Sequence, residues 1–457
     1  MGDLDEMKGG GRDRSALVDR LRQARQARTK AGGKPAETPK GKRATREPAS
    51  FDFSTLPAFE QLRFTRAAGE MLGVGDMFFR TIDSRDGVVC DMHGAERLNF
   101  SSYDYLGLSG HPDVRTAAVE AARQWGVSAN ASRLVGGERP YHRKLEEAIA
   151  EAYGVDAAIA MVSGHATNVT TIGALMGPKD LVLMDQLIHN SISEGVRLSG
   201  AARMVFPHND YAWIEETLTR VRGRYERVLI AVEGLYSMDG DFPDLAKFVD
   251  IKQRHDCWLM VDEAHALGVL GETGRGIAEE QGVDPRSVEV WMGTMSKTLA
   301  SCGGYIAGSE SLIEFLKYKA PGFVFSVGIS APAAAAAEAA VRAMMAEPER
   351  VARLKHNGHR FRDKAIEAGL DVGLTRGYAV TPVIIGDSAR AVVAADRVYQ
   401  AGVNALPIIF PAVPEQQARL RFFLTSDHTD EQIDRAVAVT AEVVADLKGV
   451  DLFEKLR

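Results

Sequence analysis

At 457 residues and 45% hydrophobic content, the chain can build one large core and a smaller satellite domain. A formal net charge of −7 argues against a global nucleic-acid surface, no apolar run reaches the ~18 residues of a membrane span, and the N-terminus lacks the apolar core of a secretion signal. The odd set of three cysteines, Cys90, Cys257 and Cys302, matches no zinc spacing, so reduced thiols and a cytoplasmic setting are expected.

Residues 1–50 are rich in Lys, Arg, Gly and Pro, free of aromatics, and carry a net charge of roughly +6. They read as a disordered basic tail with one helix over Asp13–Arg28, either solvated or docking an acidic partner such as a carrier protein. The body starts near Phe51. Residues 51–100 are expected to form an arm with small-domain elements, 101–335 a large domain and 336–457 a smaller C-terminal one. Leu145, Ala148, Ile149 and Ala152 follow helical spacing, with Gly154 placed as the stop. Short apolar runs at Ala158–Val162, Leu181–Met184, Val228–Val232, Trp258–Val261 and Val288–Met292 have strand length. Strands alternating with helices predict an α/β fold with a mainly parallel sheet covered on both faces. An Ala-rich helix near Pro332–Met345 leads to three further strands, Val380–Ile385, Ala405–Ile409 and Arg419–Leu424. Pro382 and Pro407 mark the first two as edge strands. Thr429 and Gln432 have capping-box spacing and open the final helix.

Ligands of such sheets sit at the carboxyl ends of the strands, so the polar residues there are the candidates. Thr294-Met295-Ser296-Lys297 follows a buried strand and precedes Gly303-Gly304. Partial desolvation there would lower the lysine pKa and favour a Schiff base, and the hydroxyls can bind a phosphate. Asp262-Glu263-Ala264-His265 ends another strand. A carboxylate there can keep a pyridine nitrogen protonated, and His265 can bond a phenolic oxygen. The same four letters occur in helicases, but the chain has no Gly-rich loop ending in Gly-Lys-Ser/Thr. Ser163-Gly164-His165 opens a helix after a strand, which suits a phosphate. His189 can stack on a planar cofactor or bond a carboxylate, or it is a structural histidine. Arg419 and Arg421 alternate on one strand and share a face. One of them can grip a carboxylate in a bidentate fork, and a domain-surface ion pair is the alternative.

In this order the stretches Ser101–Leu108, Ser163–His165, His189–Ser191, Glu233–Asp241, Asp262–His265, Thr294–Lys297 and Arg419–Arg421 resemble the α-oxoamine synthase family of fold-type I pyridoxal-phosphate (PLP) enzymes. The resemblance spans about Leu98 to the last helix. It implies PLP as cofactor, bound to Lys297, which also moves the α-proton. It implies Asp262 at the pyridine nitrogen, His265 at the phenolic oxygen and His189 stacked over the ring. Ser163, Gly164, His165, Ser237, Thr294 and Ser296 would complete the cofactor site, and Arg421 would take the substrate carboxylate. It implies a homodimer, in which the Phe325-Ser326 stretch reaches the partner's phosphate and Ser326 contacts the cofactor. The implied reaction joins a small L-amino acid (serine, glycine or alanine) to an acyl thioester of coenzyme A or a carrier protein, with loss of carbon dioxide. Tyr103 resembles the pattern of the serine palmitoyltransferase branch and is read as substrate-binding. Val327, where the family often has threonine, and Ala412, where some oxononanoate synthases have one, depart from the biotin-pathway branch. The sphingoid-like branch is therefore expected first, with 8-amino-7-oxononanoate synthesis or an aminotransferase as alternatives. A non-catalytic partner subunit would lack Lys297.

Overall fold

The structure is a computed structural model that describes residues 52–75 and 77–452. The expected helix at Asp13–Arg28 lies outside them. The chain divides into two units, Met1–Arg63 and Phe64–Arg457. The first contributes, among the described residues, a 3₁₀ turn at Phe53–Thr55 and the start of the helix Pro57–Met71.

The second unit holds three sheets. Strands β1 (Ser84–Asp86), β2 (Val89–Met92) and β3 (Ala95–Asn99) form a small antiparallel meander, which gains a later strand on its far side. The central sheet uses β4 (Ala157–Met161), β5 (Leu181–Asp185), β6 (Ala202–Phe206), β7 (Val228–Glu233), β8 (Trp258–Asp262), β9 (Val290–Thr294) and β10 (Gly304–Gly308) in the order β4-β10-β9-β8-β7-β5-β6. Every neighbouring pair is parallel except those of β10, which runs antiparallel to β4 and β9. β5, β7, β9 and β10 are buried along their whole length, as a sheet covered on both faces requires.

The third sheet, β11 (Val380–Gly386), β14 (Ala418–Phe423) and β13 (Leu406–Ile408), is antiparallel with β14 in the middle. The two prolines do sit on its edges. β12 (Val403–Asn404) instead crosses to pair with β3, so the segment before residue 100 shares a sheet with the C-terminal part of the chain. The Ala-rich helix runs Ala331–Ala346. Gly154 ends the helix Pro140–Tyr153 with a left-handed φ of 69°, a conformation glycine adopts at no steric cost. Thr429 and Gln432 close a reciprocal capping box on Asp430–Leu447. Two central-sheet strands had no clear sequence signal. β6 is only half-buried, and β10 is five residues long with glycine at both ends.

No described helix is long and apolar enough to cross a membrane. The described residues contain no cluster of three or more metal-ligating side chains.

Candidate active site

The parallel strands end their chemistry on one edge of the sheet. Glu233 closes β7, Asp262 closes β8 and Thr294 closes β9, and Lys297 follows three residues later. Because β10 is antiparallel, its first residue, Gly304, arrives at the same edge. There it meets the start of the helix Gly164–Leu175, whose N-cap is Ser163. The approach needs two glycines. A Cβ on Gly304 would lie 2.7 Å from Gly164 Cα, and one on Gly164 would lie 2.7 Å from Thr294 Oγ1.

These elements enclose a cavity of about 180 Å³ whose lining includes Gly164, His165, His189, Asp262, His265 and Lys297. Thr294 and Ser296 also line it, with their hydroxyls 2.8 Å apart. Helix-start N–H groups with no intrahelical acceptor and two adjacent hydroxyls make a phosphate-sized donor set. Burial pulls the Lys297 amine down to about 8, against the opposing pull of Asp262 and Glu233. Its Nζ lies 5.5 Å from the centre of the Tyr103 ring, and Tyr103, which is not part of the lining, is 39% exposed. Asp262 accepts from Asn168 Nδ2 at 2.8 Å and from the Ala264 N–H at 3.0 Å. Burial holds His265 well below the usual histidine range, so its ring is neutral at pH 7. His265 Nδ1 lies 2.7 Å from the Tyr105 hydroxyl, a phenol that burial keeps protonated.

The structure separates the two arginines that share a strand face. Arg419 is only 2% exposed and is spent on Asp239, at 2.7 Å, and the Met238 carbonyl. Arg421 Nη1 bonds the Ser237 carbonyl at 2.9 Å, but its Nε is buried without a partner. Its guanidinium lies 4.6 Å from the centre of the Phe423 ring, which also contacts Tyr103 and His265. Arg421 therefore keeps more donor capacity for a ligand than Arg419, which makes four hydrogen bonds within the protein.

Three residues expected at the cofactor, Ser163, Ser237 and Ser326, are not in this lining. The Ser163 hydroxyl accepts from the Ala166 N–H as a helix cap. Ser237 acts through its backbone: its N–H donates to Glu233 and its carbonyl holds Arg421. Ser326 follows the short helix Pro321–Val324 and is not brought into the lining of its own chain's cavity.

Sequence reasoning assigned no role to Glu233, Asn168, Ser191 or Tyr105. Glu233 pairs in register with Asp262 on the neighbouring strand, so the two carboxyl groups emerge on the same side. Burial, with Asp262 alongside, pushes the Glu233 carboxyl well above the usual range, and its Oε1 has no partner. Asn168 stands three residues after His165 on the same helix, a spacing that could have marked it.

A profile of the aminotransferase class I and II family matches residues 95–439. The chain is 38% identical to the 8-amino-7-oxononanoate synthase of Treponema denticola over 363 residues, covering 79% of this chain and 91% of that one. It is 40% identical to the enzyme of the same name from Symbiobacterium thermophilum over 354 residues, covering 78% and 90%. Among solved structures it is similar to a serine palmitoyltransferase from S. paucimobilis with a bound PLP–myriocin aldimine, with a TM-score of 0.83 and 26% identity over 87% of this chain and 100% of that one. The Sphingomonas wittichii serine palmitoyltransferase gives a TM-score of 0.82 and 29% identity over 87% and 99%.

Proposed function

Because the chain belongs to the class I and II aminotransferase family, within its α-oxoamine synthases, and is a PLP-dependent acyltransferase of fold type I, we propose that it condenses a small L-amino acid with an acyl thioester, releasing carbon dioxide and thiol and leaving an α-amino ketone. The observation that carries the reading is the convergence of a half-buried Lys297 and a buried Asp262 on one cavity whose lining also includes Gly164, Thr294 and Ser296. That donor set fits PLP, which supplies an electron sink for a carbanion at the amino acid's Cα.

The chain's own groups do the rest. Lys297 Nζ would hold the cofactor and would take and return the α-proton. Asp262 would keep the pyridine nitrogen protonated. His265, with Nδ1 toward the Tyr105 hydroxyl, would offer its Nε2–H to the phenolic oxygen, and His189 would cover the ring. Arg421, backed by Phe423, grips the amino-acid carboxylate. The carbon–carbon bond joins Cα to the acyl carbonyl as the thiolate leaves. The β-keto acid so formed loses its carboxyl group, and Cα is protonated again.

The identity of the relatives shifts the expected substrate. Tyr103 favoured the serine palmitoyltransferase branch, but the relatives at 38–40% identity are 8-amino-7-oxononanoate synthases, against 26–29% for the serine palmitoyltransferase structures. The carbon skeleton of 8-amino-7-oxononanoate divides, for a decarboxylating condensation, into alanine and a seven-carbon dicarboxylic acyl group. Alanine with a dicarboxylic acyl thioester is therefore the favoured pair. The test is a matrix of alanine, serine and glycine against dicarboxylic and fatty acyl-CoAs, read by mass spectrometry. Alanine with the dicarboxylic donor should give the amino ketone. Product only from serine and a long fatty acyl donor would restore the sphingoid branch, and a keto acid formed from amino acid alone would mean transamination.

A homodimer is part of the reading. Leu134, Val135, Phe325 and Val327 are exposed, and the two segments that carry them are tied by the Ser132 hydroxyl on the Val324 carbonyl and by the Gly328 N–H on the Ala131 carbonyl. An apolar face of this kind suits a second copy, which would place Ser326 near the neighbouring cofactor site. The cytoplasmic setting fits three free cysteines, two of them buried.

Two results follow. Arg421→Lys loses the planar fork, so the KM for the amino acid should rise about 10- to 100-fold with a smaller change in kcat. A KM within twofold of the parent would remove Arg421 from carboxylate binding. Lys297 must be neutral to attack an aldehyde, and its pKa is lowered, so the neutral amine dominates above that value. The rate at which apoprotein captures PLP should therefore rise with pH and half-saturate near about 8. A rise centred near the ordinary lysine value of 10.5 would place the amine in water.

A further inference from the structure

A buried path of hydrogen bonds joins His189 to Asp262 through two uncharged side chains. Asn168 Nδ2 donates to Asp262 Oδ2 at 2.8 Å and to Ser191 Oγ at 2.9 Å. Ser191 Oγ in turn lies 2.7 Å from His189 Nδ1. Asn168 and Ser191 are 1% and 0% exposed, so water does not compete for the two Asn168 bonds, while His189 at the end of the path is exposed. The path joins two helices, Gly164–Leu175 and Asn190–Ser199, that pack closely because Gly195 has no side chain. A Cβ there would sit 3.0 Å from the Asn168 carbonyl oxygen.

Chemistry fixes the direction of each bond. A carboxylate oxygen only accepts, so the Asn168 amide must turn its nitrogen toward Asp262. Both amide protons are then in use. Ser191 Oγ accepts one of them, which frees its own proton for His189 Nδ1. The Ser191 backbone N–H points at the same ring nitrogen from 3.3 Å, because His189 is the N-cap of its helix. A nitrogen that receives two donors carries no proton of its own. The imidazole proton is therefore on Nε2, on the ring edge away from the helix. The charge state agrees. Burial draws His189 below the usual histidine value, and Lys297, His165 and Arg421 add to that against the opposing charge of Asp262.

We infer that Asn168 and Ser191 are positioning residues that hold His189 as its neutral Nε2–H tautomer, presenting a hydrogen-bond donor to the cavity and tying that donor to the Asp262 carboxylate. The consequence for turnover rests on the cofactor reading above. The tautomer is a property of the protein alone. One arrangement thus links two groups: the one that would cover the ring and the one that would hold its nitrogen cannot reorient independently.

The test is nitrogen NMR on protein labelled in its histidines, with and without PLP, assigned by the signal lost in His189→Asn. In the parent protein, with no variant needed, His189 should be protonated at Nε2 and bare at Nδ1 around neutral pH. A proton on Nδ1, or on both nitrogens, would overturn the inference. Ser191→Ala and Asn168→Ala should each give a mixture of tautomers and lower kcat about 3- to 30-fold. The double variant should fall no further than the worse single one, because both act on one path. Unchanged tautomers in the variants, or losses that multiply, would equally overturn it. Failure of the parent protein to take up PLP would count against the cofactor reading instead, leaving the NMR result to stand by itself.

Discussion

Lys297→Ala should lower turnover by ~10⁴-fold or more and remove the visible absorbance of lysine-bound cofactor from the purified protein. The size follows from two roles lost together. In the proposed reaction the amine is the covalent anchor, and it is also the base that moves the α-proton. Its position supports both: it is half-buried in the cavity with Asp262 and Glu233, and desolvation holds its pKa near about 8. An amine at that value is neutral often enough to attack an aldehyde, yet basic enough to take a proton near neutral pH. The fold should survive, because no protein hydrogen bond or ion pair of Lys297 Nζ is lost with it among the described residues. Retained turnover in this variant, with the cofactor still absorbing as a lysine adduct, would remove Lys297 from the reaction.

Asp262→Asn is the second large effect, of a different kind. The variant should still take up PLP, since Lys297 and the Thr294–Ser296 corner are intact, but should lose ~10³-fold in turnover. A neutral amide cannot hold the pyridine nitrogen protonated, so the ring no longer stores the carbanion's electrons. The loss cannot be made good by Glu233. That carboxyl sits beside Asp262 in register, but burial disfavours its charged form and pushes its pKa well above the usual carboxylate range. Near-normal turnover would mean that another group holds the nitrogen.

Most of the central sheet was legible because its strands are continuous apolar runs ending in polar residues. Leu181–Met184 and Val228–Val232 each extend by one residue in the structure, to Asp185 and Glu233. β10 was missed because Gly304–Gly308 is short, glycine-flanked and antiparallel, so neither periodicity nor a following helix announces it. Residues 51–100 were expected as an arm with small-domain elements, but the meander's strands were not, because its pairing with Val403–Asn404 joins residues about 300 apart in the chain.

The site was legible where a residue type declares its chemistry. A lysine, an aspartate and two histidines at strand ends could be named, and the structure gathers Lys297, Asp262, His189 and His265 around one cavity. Residues that act by holding others were not legible. Asn168 looks like any polar residue in a helix until its amide is seen between Ser191 and Asp262. Nor could the strand pattern choose between Arg419 and Arg421. Only the Asp239 ion pair shows which of them is already spent.

One measurement tests the covalent anchor directly. Purified protein loaded with PLP is reduced with borohydride, digested and sequenced by mass spectrometry. The pyridoxyl mass should appear on the peptide containing Lys297 and on no other lysine. A label on a different lysine, or a turning-over enzyme that takes no label, would contradict the account.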